Sequence, residues 1–202
     1  MRRFGIVLGI LAAAAGLLAA ETYTVDPAHS HVGFKVTHMV ISKVSGQFTS
    51  FSGTFIYDEQ DITQSSIRGK IGTASITTQN EMRDKHLKSP DFLDAEKNPE
   101  ITFESKAIVK SGDGYRVVGT LTLRGLSKEI SFPFTITGKV KDPQGNERLG
   151  AEASLTINRM EYGVSWNKTL DTGGLVVGKD VQIDLSAEFI KQKPPAAPAT
   201  GK

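Results

Sequence analysis

Four histidines, His29, His31, His38 and His86, and the polar run Arg83-Asp84-Lys85-His86 are the residues whose types and spacing could do chemistry. His29 and His31 stand two apart, which puts both side chains on one face if the segment is a strand. A zinc site needs at least a third protein ligand, and Asp26 or His38 are the candidates nearby. Nothing in the spacing fixes that geometry, and histidines at strand ends bonded to backbone or carboxylate account for the same pattern. Arg83, Asp84 and His86 form the densest polar cluster, which a contact from Asp84 to Arg83 or to a helix-end amide explains without catalysis. There is no nucleophile elbow, phosphate loop or paired-carboxylate motif, and Ser30 and Ser105 have no identifiable base. The absence of cysteine excludes disulfides, a thiolate nucleophile, a cysteine-held metal and covalent haem attachment. The sequence therefore predicts no catalytic residue, no metal and no cofactor.

Arg2 and Arg3 precede an apolar run from Phe4 to Ala20, ended by Glu21, which reads as a secretory signal peptide over residues 1–20. An uncleaved anchor is the competing reading, though the run is short of the roughly 20 residues a span needs. The chain carries 24 Lys and Arg against 22 Asp and Glu, and the leader takes away two arginines and no acid. The mature chain is then formally neutral and gives no electrostatic footprint for nucleic acid. Residues 21–190 suffice for one domain, and 191–202 form a Pro/Ala-rich tail with too little apolar surface to order itself.

Between leader and tail, apolar and polar residues alternate again and again, as in strands with one buried face. Val32, Phe34 and Val36 share a phase; so do Ile101 and Phe103; Val117, Gly119, Leu121 and Leu123; Ile130, Phe132, Phe134 and Ile136; Leu149 to Ile157; and Val181 to Phe189. Between Phe48 and Phe51 the phase slips, predicting a bulge near Thr49-Ser50. Pro133 predicts a sheet edge or a bulged position. Turn signals stand at 111–114, 142–146 and 172–174. The long interruption from Arg83 to Phe103 begins with helical composition around residues 80–88, stopped by Ser89-Pro90. Phe92, Leu93 and Ile101 lie beside its charges, so the segment is expected to fold over an apolar opening as a lid or plug. The fold class expected is all-β: an antiparallel barrel of about eight strands in meander order, with two stacked sheets as the alternative. The inward face mixes phenylalanines with Gly53, Gly69, Gly119, Ala151 and Ala153, which suits a hollow barrel but also glycines at bends and alanines at a narrow end. A membrane-spanning barrel also alternates, but a single tryptophan and no aromatic girdles disfavour it.

Several ordered motifs resemble the YceI-like family of secreted bacterial proteins: Val25-Asp26-Pro27-Ala28-His29-Ser30 with Val32 to His38, Gly46-Gln47-Phe48 with Phe51-Ser52-Gly53, and Arg83-Asp84-Lys85-His86-Leu87 leading to Asp91-Phe92-Leu93. Pro99 to Phe103, Gly119 to Gly125, Asn158-Arg159 and Val177 to Val181 continue the series in order, over about Tyr23 to Phe189. Tyr23 stands where the family's opening motif often has tryptophan. The resemblance implies an elongated, lipocalin-like barrel in the periplasm, with an apolar tunnel for a polyisoprenoid, an isoprenoid quinone or a similar long-chain lipid, and no established catalytic residue.

On that reading the protein is a periplasmic lipid-binding protein, not an enzyme, that serves carriage or storage of its ligand or stress protection. Phe34, Val36, Phe48, Phe103, Leu121, Phe132, Phe134 and Leu155 are expected to line the tunnel, with Arg83, His86 and Lys88 near one mouth as polar contacts for a ligand head. A histidine- or metal-dependent periplasmic enzyme and an interaction module of a membrane redox or stress system remain the alternatives. Transient contact with a membrane or membrane protein, and a dimer, stay open.

Overall fold

The computed structural model describes residues 20–171 and 174–193. All but the last residue of the predicted leader, the tail beyond 193, and two residues of the 172–174 turn lie outside them. The alternating segments form β1 (Glu21–Val25), β2 (His31–His38), β3 (Ser42–Phe48), β4 (Phe51–Tyr57), β5 (Ser66–Gly72) and β6 (Ile76–Thr77), then helix α1 (Glu81–Lys88). After it come β7 (Glu100–Ser111), β8 (Gly114–Leu123), β9 (Leu126–Lys141), β10 (Glu147–Asn158) and β11 (Val177–Lys191). All ladders are antiparallel, and β1 pairs with both β4 and β11, which closes the sheet.

The eleven segments make eight staves, because each of the first three staves is broken once. β1 and β2 both run along β11, interrupted at Asp26–Ser30. β3 and β4 are split at Thr49-Ser50, where the phase slip predicted an irregularity, and β5 and β6 at Thr73–Ser75. At the first break Asp26 caps a turn over Pro27–His29, its Oδ1 accepting from Ala28 N–H at 3.1 Å. At this break the Glu188 carbonyl of β11 still accepts from Asp26 N–H (2.8 Å), and Ser30 serves the N–H: its Oγ accepts from Glu188 N–H (2.9 Å) and also donates to Glu188 O (3.3 Å). Ser105 has a similar part at the β7–β8 bulge, accepting from Ile67 N–H at 2.8 Å. Both serines are occupied with backbone groups that an irregular ladder would leave unpaired. The β9–β10 ladder ends at Ala153–Phe134, one residue from Pro133, so Leu126–Pro133 have no ladder partner in β10. Pro133 thus stands at a local edge.

The outward phase of the wall is polar, with cross-strand pairs Arg68–Glu104, Lys70–Glu100, Lys35–Asp184 and Lys106–Glu129. This is the reverse of a membrane-spanning barrel, whose outer band is apolar. The two ends of the barrel differ. At the upper end, where β1 begins and β11 ends, Tyr23, Phe55, Ile108, Val117, Leu149 and Phe189 pack into a plug. Glu21, Lys139, Glu147 and Lys191 form an ionic cap over it. Tyr23 donates to Glu21 at 3.0 Å, and burial together with that bond pushes its phenol up to about 12. At the lower end lie the β2–β3 turn, α1 with the loop after it, and residues 159–171 and 174–176.

Candidate ligand-binding cavity

Below the plug the barrel is hollow. A cavity of ≈ 330 Å³ runs down its interior, walled almost entirely by carbon from every stave. Phe34, Val36, Phe48, Phe103, Leu121, Phe132, Phe134 and Leu155 all line it. Many wall residues are only half-buried, Phe34, Phe103 and Leu155 among them, because they face the cavity and not one another.

The glycines act differently from the simple expectation that small residues leave space. A Cβ on Gly119 would collide with the Phe103 ring, and one on Gly46 with the Phe34 ring. In both cases glycine lets a neighbouring ring lie flat against the wall, so the phenylalanines do not block the bore. Gly69 is the opposite case, since a Cβ there would meet nothing nearer than Ser52 O at 3.9 Å.

Helix α1 and its following loop lie across the lower opening, contributing Leu87, Phe92 and Leu93 to the lining. Asn80 caps α1, its Oδ1 accepting from Arg83 N–H at 3.0 Å, and Ser89 ends it. The three polar residues expected to meet a ligand head do not line the cavity. Arg83 donates to Thr78 Oγ1 (2.7 Å) and Thr78 O (3.1 Å), while Asp84 accepts from Thr77 and Thr78. That hydrogen-bonded set, and not a direct Arg83–Asp84 contact, anchors the helix; the threonine bonds outweigh burial and hold the Asp84 carboxyl below its ordinary range. His86 pairs with Asp91 at 2.9 Å and meets Phe92 and Trp166 edge-on, both at 4.9 Å. Lys88 is part-exposed on the last turn.

Four charged residues stand along the cavity wall, Arg68, Lys70, Glu152 and Arg159, and among the described residues only Arg159 of these is buried; it follows Leu155 and Ile157 of β10 in the inward phase. It is 5% exposed. Its guanidinium donates to the carbonyls of Gly178 (2.8 Å), Val164 (2.6 Å), Trp166 (3.0 Å) and Val177 (3.2 Å), and pairs with no carboxylate among the described residues. Burial pulls its pKa down, yet a guanidinium stays charged. Four of five N–H donors are thus used to fasten residues 164–166 to 177–178, and among the described residues the charge is offset by carbonyl dipoles. Nearby Tyr162, packed with Ile101, Leu121 and Ile157, keeps a buried hydroxyl with no partner among the described residues.

The alternative histidine–metal reading rests on a spacing that the fold does not keep. His29 and His31 do not share a strand face, because Pro27 and the Asp26 cap put His29 in a turn and leave His31 to begin β2. Asp26, His29 and Glu188 instead bring potential ligand atoms within 4.8 Å of one another. Arg148 already occupies the cation's place, donating to Asp26 (2.9 Å), to Glu188 and to Asp142 (2.7 Å). Hydrogen bonds from His29 and Arg148 hold the Asp26 carboxyl down at about 2, and Arg148 does the same for Asp142. The group is an ion-pair staple across the first break in the wall.

The model of the YceI-like domain matches residues 23–189. A UPF0312 protein of Staphylococcus aureus is 39% identical over 168 residues, covering 83% of this chain and 96% of that relative. One from Serratia proteamaculans is 36% identical over 191 residues, covering 94% and 96%. Among solved structures, Burkholderia cenocepacia BcnA superposes with a TM-score of 0.72 at 27% identity over 81% of this chain and 98% of that one. The Campylobacter jejuni YCEI protein gives 0.67 at 31% over 85% and 98%. A domain from Saccharophagus degradans described as polyisoprenoid-binding gives 0.61 over 86% and 99%, and at 14% identity it shares the fold. By sequence and by fold, this chain belongs to the YceI-like family.

Proposed function

We propose that the protein binds the apolar chain of a polyisoprenoid, an isoprenoid quinone or a similar amphiphile inside the barrel, in the periplasm after removal of its leader, for carriage or storage. The observation that carries this reading is the carbon-walled cavity beneath the aromatic plug. At about 30 Å³ per water-sized group, its ≈ 330 Å³ holds about eleven methylene-sized groups. Each is worth about 0.8 kcal/mol on leaving water, so apolar length alone supplies about 9 kcal/mol before the costs of association. Chains longer than this extend through the lower opening past Leu87 and Leu93, the lid residues on the lining. The ligand's polar end then lies low, toward Arg159, the buried charge on the cavity wall. The name of the Saccharophagus degradans domain agrees with this class of ligand.

The test is extraction of protein from its native periplasm into organic solvent, followed by mass spectrometry. A long-chain isoprenoid or acyl lipid near one per barrel is expected. Repeated recovery of folded, lipid-free protein that takes up no added isoprenoid would overturn the reading.

A further inference from the structure

The tip of the β2–β3 hairpin breaks two rules at once. Its turn, closed by Ile41 N–H donating to His38 O at 3.2 Å, holds Met39 at φ 49° and Val40 at φ 66°. Two consecutive positive φ values are those of a type I′ turn, which favours Asn-Gly because side chains, β-branched ones above all, crowd the backbone there. The same residues are turned outward: Val40 is 68% exposed and Ile41 87%, with Met39 at 41%. A strained turn made of exposed apolar residues gains nothing for the fold, and such local violations gather at functional positions.

The surroundings extend the feature. The segment after Arg159 folds back against the tip, with Met39 N–H donating to Val176 O at 2.8 Å and Val40 packed beside Leu170 and Gly174. Leu175, 46% exposed, widens the apolar knob. Val177, two residues further on, lines the cavity, so the knob stands at its lower end. Exposed Lys43, Lys168 and Lys179 flank it, against Asp171 and Asp180, leaving the rim only weakly basic.

We infer that this knob inserts into the surface of a phospholipid bilayer and sets the open end of the barrel on the membrane. A turn only a few residues wide, projecting from the barrel end, suits a fluid apolar layer better than a shaped protein pocket. The weakly basic rim suits headgroups without making attachment depend on them. The inference rests on the proposed function in one respect, since the ligand proposed there dissolves in bilayers and would be exchanged at this end.

The experiment floats delipidated protein with vesicles of phosphatidylethanolamine containing a minority of phosphatidylglycerol, at low and high salt. Wild type is expected to float at both. The double variant Met39→Asn/Val40→Gly relieves the turn and should raise Tm, yet lose at least ten-fold in vesicle affinity; Ile41→Asp should lose as much without the gain in Tm. Ligand delivered from detergent should bind all three proteins equally, while transfer from vesicles slows in both variants. The inference is overturned if wild type stays unbound, if the Asn-Gly variant floats as well as wild type, or if the tip instead drives concentration-dependent self-association in solution. Failure of detergent-delivered ligand to bind wild type would refute the proposed function and leave the flotation result to judge the knob alone.

Discussion

Gly69→Leu tests whether the bore is free for a ligand. Gly69 lies between Ile67 and Ile71 on the inward phase of β5, opposite Gly53 and Phe103 in the neighbouring staves. A leucine there adds four carbons where a Cβ has only ordinary contact, so it takes about four of the roughly eleven methylene-sized places in the cavity. At about 0.8 kcal/mol each, a ligand forced out of those places loses about 3 kcal/mol, roughly 200-fold in Kd. The apo protein should keep or gain stability, because glycine in a strand costs conformational entropy and contributes no packing. Lys70→Leu, one residue along and facing outward, loses only its exposed pair with Glu100 and should bind normally. The assay is calorimetric titration with a prenyl alcohol or quinone, beside thermal melts, all on delipidated protein because bound ligand itself raises Tm. Wild-type affinity in Gly69→Leu, or a drop in its apo Tm as from an overfilled core, would refute the reasoning.

Ser30→Ala removes the hydroxyl that serves both backbone groups of Glu188, and should cost about 1–3 kcal/mol in urea denaturation while the cavity still binds. Asp26 and Asp142 have folded pKa values held down at about 2. The stability they lend is therefore complete above their ordinary range near 4 and is lost as pH falls toward 2. Arg148→Gln should lower the urea midpoint at neutral pH and flatten its dependence on pH across that window; an unchanged slope would show that Arg148 is not what holds the two carboxylates down. Chelator treatment should leave Tm and ligand binding unaltered, since Arg148 fills the cation position among Asp26, His29 and Glu188; stoichiometric zinc or copper lost together with stability would contradict this.

What was legible in the sequence was periodicity, and what was not was the placement of its exceptions. Alternation names the lining because a strand has only two faces, so once Phe34, Phe103, Phe132 and Leu155 are in phase with their neighbours they must share the interior. The same rule put His29 and His31 on one face, and failed because Asp26 and Pro27 turn the chain at that point. It left Gly119 as either open space or a bend, whereas its place is filled by a ring from the next strand, a relation that only register reveals. Leu121 is inward as expected and lines the cavity, packed at its side with Ile101, Ile157 and Tyr162.

Arg83, His86 and Lys88 drew attention because charges cluster there, yet clustered charges near a short helix tend to satisfy one another and the helix ends. Among the described residues the one buried charge on the cavity wall is isolated in the sequence, and the signal for it was phase: Leu155 and Ile157 of β10 and then Arg159 continue one inward series. An arginine where alternation demands an apolar side chain is expensive to bury, so it must find acceptors, and the carbonyls of residues 164, 166, 177 and 178 are what it finds. Those carbonyls belong to the segment that also holds the Met39–Ile41 tip through Val176. One buried cation therefore fastens the segment that shapes the lower end of the barrel and lines the cavity behind it, which makes that end, and not the aromatic plug above, the place where ligand chemistry and attachment meet.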